Sequence, residues 1–407
     1  MAGTRDPANE CRACDPDLSQ TAFTPIWSAS CGADFPTEFE LPGGGDVSQL
    51  ASGFDVDGDG FGDIVFADSW GPEYYGGPYG RIWALSGRDS SVLREWRATG
   101  EERGLGRALA LGPSFDGDGL ADVAASMWIG DTSSDVVVLS SLQDAPIARI
   151  HGTLGCAELG QTLSLGGDVD GDGRSDLLVS ARHRDEPCPD SPAALLYSSD
   201  AVLLRTWAAI DGSTGAKIVS IGPDVDGDGR SDILLSDPDA DDLAGYVDVY
   251  AGAAVRRVHH WAGAAAGLGP DANGDGAADI LMSNLVSLSP IRVHVVLRSG
   301  ADGRVIWERL TSMGGALGPD ANGDGRGDVV VVTRPDLYAA EPYPDDRVVE
   351  ILDGGTGDLI KRLLPPSSAS FRRLSYAGDI DGDGRADVVV VGSVGTREVL
   401  YVFGSAR

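Results

Sequence analysis

Seven short runs of consecutive apolar residues punctuate the chain: Ile-Val-Phe at 64–66, Val-Ala-Ala at 123–125, Leu-Leu-Val at 177–179, Ile-Leu-Leu at 233–235, Ile-Leu-Met at 280–282, and Val-Val-Val at 329–331 and 388–390. Runs this short, mostly β-branched or aliphatic and bounded by glycine and aspartate, predict buried strands rather than helices. They recur roughly every fifty residues, the sign of a propeller or solenoid rather than of separate domains. Each run belongs to a set of four strand patterns. In the third unit these are 161–166, 176–180, 193–198 and 202–207. The third pattern recurs at 81–86, 136–140, 246–250, 292–297, 348–352 and 399–403, and the fourth at 92–96, 147–150, 255–261, 305–310 and 359–363.

Four strands make one blade. The predicted fold class is therefore all-β: a seven-bladed β-propeller of four-stranded antiparallel blades over residues 37–407. After Phe403 only four residues remain, so the seventh blade has no fourth strand of its own. Residues 37–41 precede the first unit just as a fourth strand precedes each later one. The N-terminal strand is expected to complete the last blade and close the ring, leaving no open edge. Residues 1–36 carry no period and are expected to form an irregular, Cys-containing N-terminal segment.

Every apolar run issues from a nine-residue acidic loop. Residues 168–176 read Asp-Val-Asp-Gly-Asp-Gly-Arg-Ser-Asp, and the other copies begin at Asp55, Ser114, Asp224, Asp271, Asp320 and Asp379. Carboxylates or oxygen-bearing substitutes fall at positions one, three, five and nine, with glycine at four and six. Such a loop turns its oxygens towards one centre, and the glycines supply the positive φ that a Cβ resists. A cage of oxygens alone suits Ca2+, which takes six to eight of them at about 2.3–2.6 Å. Zinc or copper would call for His or Cys. An EF-hand loop runs on to a Glu at position twelve and enters a helix; these loops stop at position nine and enter a strand. Solvated acidic turns that bind nothing would need the same spacing seven times over.

On these loops and the strands that follow them, residues 37–407 resemble the FG-GAP repeat propellers, the group of integrin α-subunit heads and many bacterial extracellular proteins. The resemblance implies a calcium ligand set in each blade. In blade one it is Asp55, Asp57, Asp59, the carbonyl of Phe61 and Asp63; in blade three Asp168, Asp170, Asp172, Arg174 and Asp176. Blades four and seven give Asp224, Asp226, Asp228, Arg230 and Asp232, and Asp379, Asp381, Asp383, Arg385 and Asp387. Blades five and six put Asn at position three: Asp271, Asn273, Asp275, Ala277 and Asp279, then Asp320, Asn322, Asp324, Arg326 and Asp328. Blade two has Ser114 at position one, with Asp116, Asp118, Leu120 and Asp122, and should be the weakest of up to seven sites. The Phe-Gly and Gly-Ala-Pro signatures are eroded, and no integrin leg domains or inserted ligand-binding domain are present. A stand-alone bacterial propeller is implied.

Composition narrows the function. The formal charge of −32 disfavours nucleic acid as a partner on charge grounds, and seven divalent cations would offset nearly half of it. No apolar run reaches membrane-spanning length, and the N-terminus lacks the apolar core of a signal peptide. Cys156 and Cys188 flank the third loop and should share the face opposite the cages, either as a disulfide, which implies an oxidising compartment, or as two buried thiols. Cys11, Cys14 and Cys31 lie ahead of the repeats. Free calcium outside cells also suits loops of this kind, so an extracellular or cell-surface location is expected.

Other signals are weaker. Arg326-Gly327-Asp328 spells an integrin-recognised tripeptide, but Asp328 is committed to its cage. The five His show no metal-protease spacing, and no nucleophile elbow or phosphate loop occurs. No catalytic residue is assigned. Trp96, Trp207, Trp261 and Trp307 recur in fourth strands, where they either pack between blades or stack on sugars. The expected function is a monomeric, non-catalytic, calcium-stabilised scaffold for adhesion or for binding protein or glycan. Its ligand face is expected opposite the cages, where loops 68–79, 182–192 and 334–346 vary most. A lectin with sugar sites between blades is the alternative, and a polysaccharide-acting enzyme a third.

Overall fold

The computed structural model describes the chain except residues 1–4, 7–8, 14–23, 26–36, 42–45, 71–77, 131–132, 153–156, 184–191, 209–214, 239, 241–244, 253–255, 289–290, 313, 334–346, 365–368, 377, 395–396 and 405–407. Cys14, Cys31, Cys156 and Cys188, the expected Cys156–Cys188 pairing and most of the variable loops lie outside the described residues.

Seven antiparallel sheets form, one for each repeat, and in all but the last the strands are ordered from first to fourth as they occur in the chain. Blade one is Gln49–Ser52, Ile64–Asp68, Arg81–Leu85 and Val92–Arg97. Blade three is Ala157–Leu165, Leu177–His183, Pro192–Tyr197 and Leu203–Ala208. Blade two adds a two-residue strand, Glu102–Arg103, paired with Trp128 and Ile129 at the far end of its second strand. First strands touch first strands from one blade to the next, all the way round to the starting blade. They therefore line the axis and the fourth strands form the rim.

The closing strand is where the sequence places it. Thr37–Glu40 pairs antiparallel with Arg397–Phe403, Glu40 opposite Val399 and Thr37 opposite Val402, as the fourth strand of blade seven. Bonds across the same seam reinforce it. The Val47 N–H donates to Glu398 Oε2 (2.6 Å), Arg373 Nε donates to the Val47 carbonyl (2.9 Å), and the Ser52 and Ser375 hydroxyls meet at 2.9 Å. Within residues 1–36, where the sequence has no period, Arg5–Asp6, Asn9–Ala13 and Thr24–Pro25 form a small separate sheet.

Burial explains the continuous apolar runs. Successive side chains of a strand face opposite sides of its sheet, and each blade is covered on both sides by its neighbours. In blade one, Ile64 and Phe66 pack with Val389, Val391 and Leu400 of blade seven, while Val65 and Ala67 pack with Val123 and Met127 of blade two. The buried core is seven such layers, one per seam. Fourth strands bury one face only. Trp96 and Trp207 are 6% and 7% exposed within these layers, and Trp261 and Trp307 pack against them. The tryptophans are inter-blade packing, each worth about 1.5–3 kcal/mol or more by area.

Candidate metal centres

Each acidic loop joins a first strand to a second, so all seven lie on one face. The glycines at positions four and six all have positive φ, between 75° and 91°. The tight turn allows position one to accept several backbone N–H groups. In blade four Asp224 Oδ1 takes those of Gly227 (2.6 Å) and Asp228 (3.2 Å), and Oδ2 that of Gly229 (2.7 Å). In blade two the Ser114 hydroxyl accepts from Gly117 and Gly119 in the same way, so the turn survives the loss of the carboxylate.

The structure brings positions one, three and nine together. Asp55, Asp57 and Asp63; Asp168, Asp170 and Asp176; Asp224, Asp226 and Asp232; and Asp379, Asp381 and Asp387 each offer oxygens that all lie within 4.8 Å of one another. The position-five carboxylates are not part of these sets. Their Oδ1 atoms accept the position-seven N–H, as from Phe61 to Asp59 (3.0 Å), Leu120 to Asp118 (2.8 Å) and Arg385 to Asp383 (3.0 Å). In blade five, Asp275 Oδ2 takes the Ser299 hydroxyl (2.7 Å) and the Asn273 amide (2.9 Å). In blade six the Asn322 amide sits between Asp324 (3.4 Å) and Asp353 (3.3 Å).

Position nine is the deepest group. Asp63, Asp122, Asp176, Asp232, Asp279, Asp328 and Asp387 are fully buried. Each takes the N–H of position two on Oδ2, from Val56, Phe115, Val169, Val225, Ala272, Ala321 and Ile380, at 2.7–2.9 Å. Those position-two side chains are apolar in every copy and plug into the core; the sequence carried that signal plainly. In blades one, four, five and six, Oδ1 also accepts from a glycine at the exit of the third strand: Gly87, Gly252, Gly300 and Gly354, at 2.6–3.1 Å. A Cβ at any of these four would lie about 2 Å from a carbonyl oxygen of the loop, for instance 1.9 Å from Gly62 O at Gly87. Ser141 and Ser199 stand there in blades two and three. Asp122 Oδ1 and Asp176 Oδ1 are buried without a hydrogen-bond partner, as is Asp226 Oδ1 at position three of blade four.

An orphaned, buried carboxylate oxygen in an all-oxygen cage fits a hard cation. Burial, with the neighbouring carboxylates adding to it and backbone N–H groups offsetting part, lifts Asp63, Asp122 and Asp176 to about 7 and Asp232, Asp279 and Asp328 to about 6. A carboxyl whose pKa is higher folded than unfolded stabilises the fold below its unfolded value, about 3.8, and loses that contribution as pH rises through 6–7. Chelator-dialysed protein is therefore expected to melt at a higher temperature at pH 5 than at pH 8. The added stabilisation from a divalent cation should shrink over the same descent, because protons compete for position nine. Differential scanning calorimetry at both pH values, with and without cation, checks this.

The loops also touch one another. The position-eight N–H of each donates to the position-one carbonyl of the preceding blade's loop: Gly62 to Asp379 (2.7 Å), Ala121 to Asp55 (2.9 Å), Ser175 to Ser114 (3.3 Å), Ser231 to Asp168 (2.9 Å), Ala278 to Asp224 (2.9 Å), Gly327 to Asp271 (2.9 Å) and Ala386 to Asp320 (3.0 Å). Position-seven side chains lie over the preceding loop's position-four glycine: Phe61 on Gly382, Leu120 on Gly58, Arg174 on Gly117, Arg230 on Gly171, Arg326 on Gly274 and Arg385 on Gly323. Ala277 is too short to do so, and nothing lies within 4 Å of where a Cβ on Gly227 would be.

Sequence reasoning missed a second acidic set, on the third strands. Asp135, Asp248 and Glu350 are buried, each held by cations of neighbouring fourth strands. Asp135 pairs with Arg149 (2.8 Å) and His151 (2.9 Å), Asp248 with His260 (2.7 Å), and Glu350 with Arg309 (2.9 Å) and Arg362 (2.5 Å). His259 instead stacks on Trp261, so the adjacent histidines serve different partners. Asp328, the last residue of the Arg-Gly-Asp tripeptide, is fully buried and unavailable for adhesion.

Residues 320–390 match the family described as FG-GAP-like repeat, and residues 159–191 match FG-GAP repeat. No curated protein matches the chain. Among solved structures, the crystal structure of BBS1N in complex with ARL6DN, soaked with lead, aligns over 91% of this chain and 97% of that one, with TM-score 0.52 and 10% identity, which shows the fold alone. Rhamnogalacturonan lyase YesW aligns over 97% of this chain and 79% of that one, with TM-score 0.49 and 14% identity. No helix among the described residues is long and apolar enough to cross a membrane.

Proposed function

We propose, for a chain that is an FG-GAP-type propeller, a calcium-stabilised, non-catalytic scaffold that works outside the cytoplasm and binds protein or glycan on the face opposite the cages. Calcium is the hard cation that accepts a cage of carboxylate, amide and backbone oxygens with water making up the count. The cage carboxylates are committed to it and to backbone N–H groups, which leaves them poorly placed for acid–base work. FG-GAP repeats are typical of extracellular proteins, and calcium modules there work at about 10⁻⁴–10⁻³ M.

The choice of face rests on Trp70, the most exposed aromatic side chain among the described residues, since apolar groups such as Leu142 and Val202 are exposed on the cage side as well. Second strands start at the cages, so their far ends mark the opposite side, and there large apolar side chains stand in solvent: Trp70 is 54% exposed, and Leu285 and Val286 are 59% each. Exposed aromatic and aliphatic groups beside polar rims suit protein or sugar ligands. The lectin reading has one feature of its own, a cleft of about 580 Å³ at the rim between blades one and two, bordered by Arg94, Thr99, Glu102 and Arg149 with Trp96 beneath. A glycan array probed with labelled protein in about 2 mM calcium separates the two. A Trp70→Ala, Leu285→Ser, Val286→Ser variant should lose binding while melting like the parent. Binding that survives it but is lost in Arg94→Ala moves the site to the rim.

A further inference from the structure

The cages are built as a closed chain of contacts, not as seven separate sites. Position one faces two ways: its side chain, a carboxylate in every loop but that of Ser114, turns into its own cage, and its carbonyl receives the position-eight N–H of the next loop at every seam, including the one between blades seven and one. Position eight lies between positions seven and nine, whose carbonyl and carboxylate complete the next ligand set. Fixing one loop thus fixes a wall of its neighbour. Position seven adds a second link, as at Arg230, which covers Gly171 and donates through Nη1 to the Asp170 carbonyl (2.5 Å). Ordering a loop costs conformational entropy, and a cation entering beside a loop that is already ordered meets less of that cost.

We infer that the sites load cooperatively round the ring, each occupied cage raising the affinity of the next through the position-eight to position-one bond, with the seam between blades four and five as the weakest side-chain link. There Ala277 leaves the preceding glycine uncovered, although the Ala278 to Asp224 backbone bond is kept. The inference rests on the calcium reading above.

Native mass spectrometry of the whole chain, dialysed against chelator and titrated to about 2 mM calcium, counts bound ions directly. Partly loaded species should be scarce for the parent. Arg230→Ala keeps every ligand oxygen but cuts one side-chain link; it should populate intermediate counts and raise the calcium midpoint about fivefold, the lower end of ordinary coupling. Ala277→Arg, which supplies the missing link, should sharpen the transition. Near-UV circular dichroism on the same samples reports that each variant is folded. Stepwise loading through all intermediate counts, identical in the parent and both variants, overturns the coupling while leaving calcium binding intact. A chain that takes up no calcium overturns both.

Discussion

Stripping calcium is expected to lower the melting midpoint by about 10 °C or more, with calcium but not magnesium restoring it. Three carboxylates bring oxygens within 4.8 Å of one another in four separate loops. A like-charge pair at about 4 Å costs about 1 kcal/mol even in water and more where solvent is excluded. A site filled at a hundred times its dissociation constant contributes about 2.7 kcal/mol, so several filled sites together rival the whole stability of about 5–15 kcal/mol typical of a folded protein. Magnesium holds its waters and demands a near-octahedral shell, which these wide, carboxylate-rich loops do not supply. Thermal unfolding followed by circular dichroism in 5 mM EGTA, against about 2 mM of either ion, is the measurement. An unchanged midpoint sinks the calcium reading.

The second large effect is expected from removing residues 1–41. The deletion takes away Thr37–Glu40 and leaves Arg397–Phe403 as the bare edge of blade seven. Leu400 and Tyr401, now fully buried, would lose their cover on one side. An open apolar strand edge is a template for association. The truncated chain should elute as aggregate in size-exclusion chromatography, or melt over a broad range well below the parent. A peptide of residues 37–41 added in trans should fail to rescue it, since a strand this short pays the full cost of association. A monomeric, sharply melting truncation would show that three strands suffice for the last blade.

The sequence made the repeats readable because one loop does two jobs. Its carboxylates mark the cage, and the apolar run after position nine marks a strand buried on both faces, so strand positions and the closing strand could be placed within a few residues. The links between cages left a fainter trace. Position eight is Gly, Ala or Ser in all seven loops, from Gly62 to Ala386, because it sits against the neighbouring loop; with no ligand to explain it, that restriction looks like ordinary turn composition. Asp135, Asp248 and Glu350 were illegible for a different reason. A single acid in a strand reads as solvent-facing, and its burial depends on Arg and His residues that reach it only once the sheets are formed. Position five stays within reach of position one, since the Ser114 hydroxyl donates to Asp118 Oδ1 (3.2 Å), while the same Oδ1 also accepts the position-seven N–H.

The closing seam also sets an order of events during synthesis. Val47 and Glu398 are joined by a hydrogen bond although 351 residues separate them, and the strand beside them is made before all seven repeats but finds its partner only in the last of them. Blades one to six can stack in turn as an open crescent, while the final blade waits for Arg397–Phe403 to be made. For a protein exported unfolded, Thr37–Glu40 would cross ahead of the repeats and remain unpaired until Arg397–Phe403 followed. The ring would then close only once the whole propeller has crossed.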